Sequence, residues 1–277
     1  MNRAVRLNLT LLIVFLGTAM VGHASSSTSV PDELRVGVAI ASLPWASDDT
    51  GESTGIVIDI VKTTMEALDK KAVFNIVPPA RVVSMLRNKS IDAGIVLINP
   101  GVVLESLACS QPLVTVPFGL YLEASSPHRS PNIPWDQLKI GAQSANHLDN
   151  PPEFEKLNIQ FFKNSVLIFR SLKAKRVNSI FSSPLVVEHL SEVFQIKMEA
   201  REHVGYRSAV LCFSVEGFGE AAELLADQFT KSYFDIVDNQ PERLSPTTLR
   251  AIKLFDSRGL PKTLTNIELP PVRRSIK

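Results

Sequence analysis

Few residues in this 277-residue chain stand in an arrangement that does chemistry unaided. The sequence has no Gly-x-Ser-x-Gly elbow to expose a nucleophile, no phosphate-cradling glycine loop and no His-Glu-x-x-His pair for zinc. His147 has no second His or acid at metal-ligand spacing, and two Cys form no Cys-based zinc site, so neither metal nor cofactor is expected. No catalytic residue is assigned. What remains suits binding. Trp45 follows a proline in the loop after a strand-like run, where its flat indole can stack on a planar or apolar molecule. Arg81 opens a helix and can face a ligand or pair with a neighbouring acid. Ser144, Asn146 and His147 lie in a polar loop after one strand, and Ser182 and Ser183 end another. Loops at strand ends are where binding side chains gather. These seven are the candidate ligand-binding residues, whereas Asp59 reads as a structural residue of the first helix.

The elements that must carry these groups alternate from residue 34 onward. Leu34–Ile40 reads as a strand. Ser53-Thr54-Gly55 precedes a helix whose Val57, Val61, Met65 and Leu68 share one face at helical period. Ala72–Val77 is a second strand, Pro78-Pro79 opens a helix to about Asn88, and Ala93–Ile98 has the apolar run of a buried strand. Such alternation implies parallel βαβ units with ligands near the carboxyl ends of the strands. Pro117–Glu123 reads as another strand, followed by a connection from Ser125 to Pro131. The rhythm then restarts with strands Leu138–Ala142 and Leu157–Phe162, helix Ser165–Lys175 and strand Val177–Phe181. A shift of 86 residues lays Leu172–Asn178 on Leu86–Asp92, a faint echo between two halves. Tyr206–Phe213 is extended, and Phe218, Ala222, Leu225 and Phe229 share one face of a long helix. Ser245-Pro246 starts a short helix ending near Gly259, before a proline-rich tail.

Composition narrows the class. Hydrophobic residues make up 45% and charged residues 21%, enough apolar material for a sizeable core and too much for a disordered chain. The formal charge of +1 gives no electrostatic case for nucleic acid. Arg3 and Arg6, the apolar stretch Leu9–Val21 and the small residues of Gly22-His23-Ala24 predict a secretory signal peptide over residues 1–24. The absence of a cysteine near that cleavage site argues against a lipid anchor. The mature protein is therefore expected in a bacterial periplasm, as a monomer. In that oxidising compartment Cys109 and Cys212 can pair, or each can pack as a small hydrophobe.

The order of segments resembles that of the bacterial family 3 solute-binding proteins, the periplasmic receptors of polar amino-acid ABC transporters. Leu34-Arg35-Val36-Gly37-Val38 is similar to the opening strand, and Leu43-Pro44-Trp45 to the Pro-aromatic element. Gly51–Asp59 resembles the Gly-x-x-x-Gly-x-x-x-Asp helix entry. Arg81, Leu86 and Ser90-Ile91-Asp92-Ala93 resemble the next helix-to-strand passage, and Cys109-Ser110-Gln111-Pro112 the Phe-Ser-x-Pro element. The resemblance implies an α/β, two-lobed periplasmic-binding-protein-like (type II) fold with a hinge of two crossing strands. Residues 25–123 and 206–277 would form one lobe and 124–205 the other, closing on a small molecule to signal to an ABC permease or a membrane sensor receptor. The departures bear on the ligand. The arginine expected before Phe-Ser-x-Pro is missing from Asn99–Glu105. The Gly-Ser/Thr element falls at Ser144–His147, and the acid that would hold an amino group falls at Ser182 or Ser183. Such a cleft should not favour an amino-acid zwitterion, because desolvating either charge without a partner is costly. The same architecture also carries periplasmic cyclohexadienyl dehydratases, for which Glu105, Glu123 or His147 would be the acid/base nominees. A ligand-independent partner of a membrane receptor is the third reading. The chain is expected not to be an enzyme.

Overall fold

The computed structural model describes residues 30–39, 42–48, 51–99, 102–130, 132–143, 156–256 and 258. β1 (Glu33–Val38), α1 (Ile56–Ala67), β2 (Lys71–Ile76), α2 (Pro79–Arg87) and β3 (Ala93–Ile98) form the expected parallel βαβαβ run, with β1 between β2 and β3. A second parallel group comprises β6 (Ile140–Gln143), β7 (Ile159–Phe162), α3 (Ser165–Lys173) and β8 (Ser179–Ser182), with β6 between β7 and β8. Two long antiparallel strands join the groups: β5 (Val114–Glu123) and β9 (Met198–Ser214). At one end β9 pairs with β3, and at the other β5 pairs with β8. Eight of the nine described strands thus form one hydrogen-bonded path, β2-β1-β3-β9-β5-β8-β6-β7, and the ninth, β4 (Leu107–Cys109), pairs with β9 off it. It is continuous because the crossing pair belongs to both lobes.

The faint repeat in sequence is a real repeat in structure. Lys89 and Lys175, 86 residues apart, both take a left-handed conformation just after α2 and α3. Both helices close with the same wrap, Ser90 N–H to Met85 C=O and Arg176 N–H to Ser171 C=O, which satisfies carbonyls left open by the last turn. Asp92 then accepts from the backbone N–H of Arg35 at 2.8 Å, and Asn178 from that of Lys139 at 2.9 Å. Each lobe uses one polar side chain to set the register between its entering strands.

Packing follows the two faces of the sheet. Leu34, Val36, Val38, Ile95, Leu211 and Phe213 pack on the α1 side, where α6 (Ala221–Asn239) contributes Leu225, Phe229 and Tyr233. Val96, Val210 and Cys212 face α2, which contributes Val82 and Leu86. α1 is buried over most of its circumference, because α6 and α7 (Pro246–Phe255) cover the side away from the sheet.

Several elements depart from the sequence expectation. β9 begins at Met198, eight residues before Tyr206, because pairing with β5 extends a polar stretch that has no strand pattern of its own. β5 likewise starts at Val114 rather than Pro117. β4 (Leu107–Cys109) and α4 (Pro184–Phe194) were not anticipated. Phe218 belongs to a separate turn, α5 (Val215–Phe218), cut from α6 by Gly219 at φ +59°. α7 ends at Phe255. Cys109 and Cys212 lie opposite each other on β4 and β9 and form a disulfide, settling the alternative left open by their apolar settings.

The Arg35–Asp92 pair predicts an acid-sensitive fold. Burial pushes the Asp92 carboxyl up, but the Arg35 side-chain and backbone hydrogen bonds outweigh it and hold it below the ordinary range. The Arg258 guanidinium does the same for Asp256. A carboxyl that binds its proton less readily when folded stabilises the fold above its unfolded value of about 3.9. That stabilisation is lost as pH falls through the depressed folded value. Urea midpoints should therefore drop steeply below about pH 4, and Asp92→Asn should flatten that limb while lowering stability at pH 7. An equally steep limb in the variant would remove Asp92 from the account.

Candidate functional site

The loop after β1 brings the first lobe to the cleft, and its backbone is held rigidly. Ser42 C=O accepts from the N–H groups of Trp45 and Ala46, closing a tight turn. Pro44 and Trp45 carbonyls then accept from the N–H groups of Ile56 and Val57, so the loop itself caps α1. Gly55 permits this approach. It sits at φ +123°, and a Cβ there would lie 2.5 Å from the Trp45 carbonyl oxygen.

From this platform two side chains cross to the second lobe. The Ser42 hydroxyl donates to Gln143 Oε1 at 2.5 Å and lies 2.8 Å from Ser165 Oγ. Ser165 Oγ also lies 3.4 Å from Gln143 Oε1, so the two hydroxyls share that acceptor and either can donate to the other. The Trp45 indole N–H donates to Ser183 Oγ at 3.2 Å. Gln143 ends β6, Ser165 opens α3, and Ser183 joins β8 to α4. The cluster therefore gathers at strand ends in both lobes. Trp45 is only 5% exposed, and its ring lies 6.1 Å from that of Phe255 on α7.

The crossing pair that joins the lobes carries polar and aromatic contacts of its own. Thr115 and Ser208 hydroxyls share a hydrogen bond of 2.8 Å between β5 and β9. The Arg207 guanidinium lies 5.5 Å from the Phe118 ring, which in turn is 5.8 Å from Phe181. The β5–β9 register breaks between Phe118 and Gly119 and again between Leu120 and Tyr121. Such bulges bend and twist a strand. Gly119 is needed here, because a Cβ would lie 2.5 Å from the Glu202 carbonyl oxygen. The bends lie in the strand pair that joins the two lobes. Tyr121, beyond the second break, is driven by burial up to about 12 and serves as core.

Of the sequence candidates, the structure brings Trp45 and Ser183 into direct contact and buries Ser182 at the end of β8. Arg81 is exposed in the first turn of α2, and no described hydrogen bond joins its side chain to the cluster. Ser144, Asn146 and His147 lie outside the described residues. Asp59 accepts from the Ser245 N–H at 2.9 Å, tying α1 to α7, the structural role read from sequence. Among the acid/base nominees, Glu123 is exposed at the outer end of β5, opposite Met198 and away from the cluster. Glu105 is exposed in the loop after β3. Ser42, Gln143 and Ser165 were not singled out from sequence, since a serine near a turn or a helix start carries no distinctive signal. Among the described residues there is no cluster of three metal-ligating side chains, and no helix is long and apolar enough to cross a membrane.

Solved structures share this architecture. An ancestral arginine-binding protein bound to glutamine matches 82% of this chain and 99% of its own, at 17% identity and a TM-score of 0.61. The fold is that of the two-lobed periplasmic binding proteins. A Salmonella typhimurium periplasmic binding protein with high arginine specificity matches 81% of this chain and 99% of its own, at 13% identity and 0.60. An ancestral amino-acid-binding protein described as a precursor of cyclohexadienyl dehydratase matches 81% and 95%, at 15% identity and 0.59. No protein-family model matches the sequence, and no curated protein matches it.

Proposed function

We propose that this chain is a periplasmic solute-binding protein that captures a small organic ligand between its lobes by hinge closure. The observation that carries this reading is the meeting of Ser42 and Trp45 with Gln143, Ser165 and Ser183 across the hinge. Released from one another, these groups offer a ligand neutral hydrogen bonds from both lobes. An uncharged polar ligand suits them better than an amino-acid zwitterion, whose two charges would each need a charged partner on leaving water. Three hydroxyls, a carboxamide and an indole N–H are also poor proton-transfer groups at neutral pH, which favours binding over catalysis.

Export to the periplasm is supported by the signal-peptide pattern of residues 1–24 and by the Cys109–Cys212 disulfide, a bond that persists in oxidising compartments. The partner that reads the closed form is an ABC permease or a membrane sensor receptor. A neighbouring permease and ATPase gene pair would favour delivery, and a receptor kinase or cyclase gene would favour sensing.

A thermal-shift screen over amino acids, organic acids, amines, neutral polyols and aromatics tests the proposal, since a ligand that binds only the folded state raises the midpoint by mass action. The expected hit is a neutral compound, recovered unchanged after incubation. The largest shifts coming from ordinary L-amino acids would overturn the ligand class, and conversion of the hit to product would overturn the binding role.

A further inference from the structure

The side chains that meet in the cleft are bonded to one another, and their placement points to a device beyond ligand capture. Ser183 occupies the N-cap position of α4, where a serine hydroxyl ordinarily accepts from an N–H of the first turn. It makes no such bond, and its Oγ accepts instead from the Trp45 indole N–H of the other lobe. A neighbouring helix shows the ordinary arrangement, since α3 is capped by Asn164, which accepts from the Leu167 N–H at 3.0 Å. Ser165 is thereby left to bond Ser42.

The three hydroxyls and the indole are withdrawn from water, while Gln143 is half-buried. Ser42 is 7% exposed, Ser165 4% and Ser183 1%. The donors are also preorganised. The Trp45 backbone is fixed as the cap of α1, and its ring is backed by Phe255 of α7. α7 reaches the second lobe as well, through Arg250 and Glu188 of α4 at 2.7 Å. Preorganised and mutually satisfied polar groups, most of them buried, stabilise the arrangement that pairs them.

We infer that Ser42–Gln143–Ser165 and Trp45–Ser183 form a latch that closes the two lobes by protein–protein bonds alone. The latch concerns the open–closed equilibrium and stands whether or not the cleft takes a ligand. Any ligand must compete with Gln143 and Ser183 for the two donors, so affinity rises when the latch is weakened in favour of ligand contacts.

Small-angle X-ray scattering on protein freed of carried-over molecules by unfolding and refolding tests this directly. The wild type is expected to be compact, with a radius of gyration of about 18 Å for a chain of this size. Ser42→Ala with Trp45→Phe removes both donors while keeping a ring against Phe255. The double variant should shift the closed-to-open ratio by roughly tenfold toward open, seen as a larger radius with an unchanged far-UV spectrum. Equal radii in wild type and variant, whether both compact or both extended, would overturn the latch. If the double variant loses its far-UV signal, Gln143→Ala decides instead. A larger radius than wild type supports the latch, and an unchanged one overturns it.

Discussion

Replacing Cys109 and Cys212 together by alanine is expected to lower stability by about 2–5 kcal/mol. The disulfide joins residues 103 positions apart, so breaking it releases a long closed loop in the unfolded chain. In the folded state it fixes β4, a strand of only three residues, onto β9. That short strand has little pairing of its own, and it leads from the loop at residues 102–106 toward the crossing strand β5. The loss corresponds to roughly 5–15 °C in melting temperature for a domain of this size. Guanidinium melts of the oxidised wild type, the wild type in reductant and the double variant separate two contributions. Reduction alone reports loop closure, and the variant adds the lost packing of the fully buried Cys212 sulfur. A reduced wild type as stable as the oxidised one would show that the cross-link constrains nothing beyond what the β4–β9 ladder already holds.

Trp45→Ala is expected to cost about 3–5 kcal/mol, the range for emptying a buried aromatic site. Trp45 is a core residue as well as a cleft residue, buried in the same apolar core as α1 and backed by Phe255. Its indole N–H also ends on the second lobe. Trp45→Phe separates these roles, since it keeps most of the ring packing and removes only the bond to Ser183. That single change should cost about 1 kcal/mol. Urea melts of the two variants therefore differ by a predicted factor of several in lost stability. Near-equal losses would mean that the hydrogen bond, rather than the packing, dominates at this position.

The sequence alone carried the parallel βαβαβ run, the restart of the rhythm near residue 138 and the resemblance to two-lobed binding proteins. These are local properties. The 3.6-residue period of Val57, Val61 and Met65 and the apolar run of Ala93–Ile98 report burial wherever the element ends up. The 86-residue echo was legible for the same reason, because left-handed Lys89 and Lys175 close their helices with local hydrogen bonds. The N-terminal half of β9 was hidden, since Met198–His203 alternates poorly and becomes a strand only through pairing with β5. α4 was also passed over, although Pro184 after Ser183 was a readable helix start.

Trp45, Ser182 and Ser183 could be nominated because strand ends can be read from sequence. That Trp45 and Ser183 bond each other could not, nor that Ser42 meets Gln143 and Ser165 across 101 and 123 residues. Periodicity fixes what each segment buries. It says nothing about which distant segment lies opposite. That was decided by the tertiary fold, in which the β5–β9 pair joins the two parallel groups and so sets which strand ends lie opposite each other.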